Sequence, residues 1–118
     1  MISKNDITGA IDAIGIQWAE PDFAPRKPPE PPYAYMRDTL EYDGSDERTG
    51  MVGHDTRVYL MDDGSPLHRR NRVLLARELA RRGVHFRQYP SEYSYELKLF
   101  ETEYDIYETY FEKWSDEQ

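Results

Sequence analysis

The sequence contains no cysteine. Disulfide staples, thiolate nucleophiles and zinc–thiolate sites are therefore excluded at the outset. It also lacks any apolar run near the ~18 residues that a membrane-spanning helix needs. Its N-terminus has no basic-then-apolar export pattern, so a soluble, non-exported chain with no membrane partner is expected. Positive charge is scarce: 15 Lys+Arg stand against 23 Asp+Glu, a formal net charge of -8. Such a balance argues against phosphate-backbone affinity over most of the surface. Apolar residues make up only 38%, but 10 Tyr, 4 Phe and 2 Trp bring large burial areas that suit either a core or a contact surface. At 118 residues the chain is expected to form one domain, 1–118, with one modest core.

Punctuation along the chain divides it into a few elements. Ser3 and Asp6 form a capping-box pair, Ile2 and Ile7 occupy staple positions, and Ile7, Ala10, Ile11 and Ile14 follow helical spacing up to Gly15. A short helix over residues 2–16 follows. Six prolines then fall within residues 20–32, at 21, 25, 28, 29, 31 and 32. Lacking amide donors and fixed in φ, this stretch reads as an extended arm outside any sheet, with Phe23 as its anchor. Its PxxP spacings also leave open a ligand for a groove-binding module. Residues 33–42 begin a sheet and residues 57–61 form a second strand. Between them, Asp43–Asp55 reads as a polar, mobile loop, with Asp46, Met51, Val52 and His54 as candidate docking residues.

Asp62-Asp63-Gly64 is turn chemistry, Ser65 an N-cap and Pro66 a first-turn proline, giving a helix to about Arg82 that Gly83 ends. Val73, Leu75, Ala76, Leu79 and Ala80 form one apolar arc. Leu67 and Leu74 fall opposite, either against another element or against a neighbouring subunit. Arg69, Arg70, Arg72, Arg77, Arg81 and Arg82 face only Glu78, as a solvated basic face or as a partner for acidic strands. Residues 84–89 read as a third strand that Pro90 ends, and Leu97–Tyr107 as the longest. In the latter, Phe100, Thr102, Tyr104 and Ile106 line one face, and Glu101, Glu103 and Asp105 the other. Residues 111–118 read as a fraying tail. The expected fold class is α+β, with about four antiparallel strands packed against two helices.

Signatures of catalysis are missing. His54, His68 and His85 match no metal spacing, and there is no G-x-S-x-G, P-loop or dinucleotide fingerprint. Gly50-Met51-Val52-Gly53 lacks the basic flank and following helix of a nucleic-acid clamp. The expectation is a non-enzyme with no cofactor and no metal.

The layout resembles that of the small tail-completion (tail terminator, or head–tail joining) proteins of long-tailed phages and prophages. The resemblance lies in Gly15-Ile16-Gln17-Trp18 and in the proline-rich link into Pro31-Pro32-Tyr33-Ala34-Tyr35. It continues in Arg57-Val58-Tyr59-Leu60-Met61, in Ala80-Arg81-Arg82-Gly83-Val84-His85-Phe86, and in the acid-rich strand within Glu96–Tyr107. The Asp43–Asp55 loop and the six helix arginines depart from the pattern. The resemblance implies a virion subunit that forms a ring, usually six-fold, at the head-proximal end of the tail tube. Its partners would be further copies of itself, the tail tube protein and the head connector, with DNA passing through without specific binding. Assembly would take place in the bacterial cytoplasm. Leu67, Leu74, Arg70, Arg77, Arg81, Glu101, Glu103 and Asp105 are the candidate interface residues. The competing class is an acidic DNA mimic that inhibits a host nucleic-acid enzyme. A third is an unassigned small interaction domain.

Overall fold

The sheet is built on one strand of 14 residues, β3 (Thr49–Asp62). The computed structural model describes residues 2–19, 29–43, 49–107 and 110–115, with backbone alone for 40–43, 49–54 and 110–115. Strand β2 (Tyr33–Asp43) pairs antiparallel with β3 from Tyr33↔Met61 to Asp43↔Met51. The other side of β3 takes two strands in succession. These are β6 (Leu99–Ile106), against residues 57–62, and β7 (Tyr110–Ser115), against residues 49–54. Strand β1 (Gln17–Ala19) joins β2 in parallel, while β4 (Phe86–Gln88) and β5 (Glu92–Ser94) both pair antiparallel with β6. The result is α+β: a mixed seven-stranded sheet with helices α1 (Lys4–Ala13) and α2 (Pro66–Arg81) on one face.

Period-two alternation decides which side chains meet the helices. Ala34, Met36, Val58, Leu60, Tyr104 and Ile106 point to the helix face and form one buried cluster with Ile7, Ala10, Ile11, Leu75 and Leu79. The caps work as the sequence suggests. The Ser3 amide donates to Asp6 Oδ2 at 2.8 Å, and the His68 amide donates to Ser65 Oγ at 3.2 Å. Asp63 accepts from the Ser65 amide and contacts His68 Nδ1, each at 3.0 Å, which holds its carboxyl below the usual range. Gly83, at φ 77°, ends α2, and the Val84 amide folds back onto the Leu79 carbonyl at 3.0 Å, burying Val84.

The edge beside β6 is interrupted. Between Gln88↔Tyr104 and Glu92↔Glu101, residues 89–91 oppose only residues 102 and 103. That is a one-residue bulge containing Pro90, anchored by the Tyr89 amide to the Glu103 carbonyl at 2.9 Å and by Ser91 Oγ to Thr102 Oγ1 at 2.6 Å. Bulge and proline together blunt the edge against further strand addition.

Several expectations are corrected. The sheet is mixed and larger than about four antiparallel strands, because β1 and β5 have three residues each, too few to show alternation. Met51, Val52 and His54 lie in β3 and pair with both β2 and β7, so the segment after Thr49 is strand and not loop. Glycines 50 and 53 had suggested a loop, but Gly50 pairs with β7 and Gly53 with both β2 and β7, which keeps the backbone extended. Asp46 lies outside the described residues, as does most of the arm. The supposed tail contributes β7, which shows no period-two alternation in Tyr110-Phe111-Glu112-Lys113-Trp114-Ser115 and becomes strand by pairing with β3. Residues 116–118 lie outside the described residues. Val73, expected in the apolar arc, is 56% exposed, because the core stripe of α2 centres on Leu75 and Leu79.

Candidate subunit interface

In α2, residues 67, 70, 74, 77 and 81 recur at alternating steps of three and four, so they share one stripe. This stripe lies opposite Leu75 and Leu79 and turns away from the sheet. It runs about 21 Å at ~1.5 Å per residue. Leu67 is 66% exposed, and Arg70, Arg77 and Arg81 are exposed. Leu74 is half-buried. It lines a surface depression of about 450 Å³ with Ala13 and Ile14 at the end of α1 and with Arg77, Glu78 and Arg81 of α2. Glu78 holds Arg81 at 2.9 Å and Arg82 at 3.8 Å. Leu67 is therefore a surface residue, while Leu74 has dual character.

Glu101, Glu103 and Asp105 lie on the opposite side of the molecule. They follow one another on β6, ~6.7 Å apart, facing away from the helices. Their cross-strand neighbours complete three rows. Tyr33, Met61, Glu101 and Glu92 form the first; Tyr35, Tyr59 and Glu103 the second; Arg37, Arg57, Asp105 and Arg87 the third. The face is thus graded, with carboxylates towards the β5–β6 hairpin and arginines at the far end. The sequence reading missed those arginines because they lie on three other strands. Tyr35 and Tyr59 stack at 4.8 Å, and the Tyr35 hydroxyl donates to Glu101 Oε2 at 3.0 Å. Burial, then the Glu101 charge, pushes the Tyr35 phenol up. Arg57 Nε lies 3.6 Å from Asp105 Oδ1. The hydrogen bond between Glu103 and Asp105, reinforced by burial and the Asp105 charge, pushes the Glu103 carboxyl up to about 7.

Two features escaped the sequence reading. Arg72 is not part of a solvated basic face. It grips the fully buried Asp62 through Nε–Oδ2 at 2.7 Å and Nη2–Oδ1 at 2.8 Å, and its guanidinium lies over Phe100 at 5.2 Å. The signal was available: Asp62 continues the inward parity of Thr56, Val58 and Leu60. The second feature is the β5–β6 hairpin, whose Tyr93, Tyr95 and Leu97 are 42%, 85% and 49% exposed. Among the described residues no three metal-ligating side chains converge.

No family model, curated protein or solved structure matches the chain.

Proposed function

We propose that this chain is a structural subunit of a phage or prophage tail. In this reading it forms a homo-oligomeric ring, as a hexamer, that caps the head-proximal end of the tail tube and joins it to the head connector. One observation carries the self-association: the Leu67/Arg70/Leu74/Arg77/Arg81 stripe and the Glu101/Glu103/Asp105 strand lie on opposite sides of one molecule. Complementary patches on opposite sides cannot satisfy each other within a chain. They satisfy each other head to tail between copies, and such contacts close into rings when the rotation allows. The tail assignment itself rests on the sequence resemblance. The arginines interleaved with those acids count against the competing DNA-mimic reading.

The test is mass by light scattering, alone and with tail tube protein. A ring-sized species in either sample supports the proposal. A strict monomer that instead blocks a DNA-binding enzyme overturns it.

A further inference from the structure

Along the flank of α2 that faces β4 runs a trough that the self-association stripe touches only at Arg70. Pro66, Arg69, Arg70 and Val73 recur at helical spacing on the first two turns of α2. With Arg72 and with Gln88 of β4 they line a depression of about 490 Å³. A second depression, of about 240 Å³, is lined by Gly64, Arg69, Arg72 and Phe100. Arg69 and Arg72 line both, so the two form one trough. Helix residues make one wall. Gln88 and Phe100, which alternate to the helix-facing side of the sheet, make the other. The walls are fixed in place. The Tyr104 hydroxyl donates to the Arg72 carbonyl at 2.7 Å, and Arg72 holds Asp62 through Nε and Nη2. The Arg72 guanidinium lies over Phe100, and Gly64 packs so close that a Cβ there would lie 2.6 Å from that ring.

The rim of this trough is charged and apolar at once. Arg69 and Arg70 are exposed and have no ion pair among the described residues, and Val73 is 56% exposed. The acids at the start of α2 are already engaged, Asp62 by Arg72 and Asp63 by His68. The trough therefore carries uncompensated positive charge on a chain of net charge -8. Free guanidiniums select an anion, with carboxylates matching their planar fork. Shape narrows the choice. From Pro66 to Val73 the trough runs ~10 Å along the helix at ~1.5 Å per residue. That length admits about three to four residues of one extended strand at ~3.3 Å each. Side chains on such a strand alternate between the two walls, setting carboxylates on Arg69 and Arg70 and apolar groups against Phe100. The acidic strand of a second copy does not fit, because β6 has β3 on one side and β4 and β5 on the other. A nucleic acid would carry its phosphates across a surface of the same sign, which a short acidic peptide avoids.

We propose that this trough docks a short, extended acidic segment of a different protein, with alternate carboxylates on Arg69 and Arg70 and apolar side chains against Phe100. The inference goes beyond the functional reading and does not depend on it.

A fluorescein-labelled hexapeptide of alternating glutamate and leucine is titrated by fluorescence anisotropy into three full-length proteins: the native chain, Arg69→Ser and Val73→Asp. Melting temperature and light scattering are recorded on each. The expected result is saturable binding to the native chain at low salt. Arg69→Ser should weaken it about tenfold, the loss of one charge-assisted hydrogen bond, and Val73→Asp by at least as much through repulsion. Melting temperature and oligomer mass should stay unchanged, since both residues are exposed and lie outside the self-association stripe. No saturable binding, or binding indifferent to both substitutions, overturns the proposal whatever the mass of the native chain. A labelled oligothymidine of the same length that binds as tightly, with the same loss in Arg69→Ser, overturns it in favour of a phosphate backbone. A fall in oligomer mass in Arg69→Ser places the trough within the copy-to-copy contact and overturns a separate partner. A native chain that binds the peptide and stays monomeric under all conditions supports the trough and counts against self-association alone.

Discussion

Replacing Arg72 by Met should strand a buried charge and destabilise the protein. Asp62 is fully buried, and its carboxylate accepts three hydrogen bonds, two from Arg72 and one from the Gly64 amide at 2.8 Å. Methionine keeps the side-chain bulk but leaves the charge with the amide alone. Breaking a buried pair from one side costs about 3–5 kcal/mol, and the lost contact on Phe100 accounts for ~0.5–1 kcal/mol of that. Against a total stability of roughly 5–15 kcal/mol, and at ~3–4 °C per kcal/mol for a chain of this size, the melting temperature should fall by about 9–20 °C. Asp62→Asn should cost less, because the Arg72 side chain is 17% exposed and can carry its charge to solvent. The Asp62→Leu/Arg72→Met double variant should recover most of the loss. Urea denaturation reads all of this. A loss below ~1 kcal/mol would refute the reasoning.

Three further outcomes are expected. Leu67→Ser should lower oligomer mass while changing stability by less than ~0.5 kcal/mol. Leu74→Ser should lower both, since Leu74 is half-buried and shares a depression with the end of α1; equal stability losses would remove the distinction. Glu103 has a folded pKa of about 7, above the ordinary 4.5. An acid raised on folding contributes nothing while protonated in both states and weakens the fold once it must ionise. Stability should therefore fall between pH 4.5 and 7, and Glu103→Gln should flatten that fall in a melting series. Gly64→Ala should cost at least ~1–3 kcal/mol, because φ there is 81° and the new Cβ would meet the Phe100 ring. Chemical denaturation checks it.

Much of this architecture could be read from short-range patterns. Ser3, Ser65, Gly15 and Gly83 marked the helix ends because caps and left-handed stops depend on neighbours within four residues. The inward set Phe100, Thr102, Tyr104 and Ile106 followed from alternation over a strand long enough to display it. What escaped depended on pairing at a distance. Residues 49–55 look like a loop in isolation, and become strand because β7 pairs with 49–54 and β2 with 51–55. Arg72 looks like one of six surface arginines until Asp62 arrives beside it from the end of β3. The acidic strand was legible by itself, but Arg37, Arg57 and Arg87 enter its face from three other strands. The candidate interface was therefore half visible: its stripe on α2 follows from helical spacing, while the grading of its counterpart needed the sheet.

If copies of this chain associate head to tail through faces of opposite charge, light scattering of the native protein across a salt series shows it most directly, with tail tube protein present where the chain alone does not assemble. A species several times 14.0 kDa is expected at low salt, shifting towards the single chain as screening shortens to ~3 Å near 1 M. The same shift should follow at low salt when Arg70, Arg77 and Arg81 are reversed to Glu. A species of 14.0 kDa under every one of these conditions would contradict it.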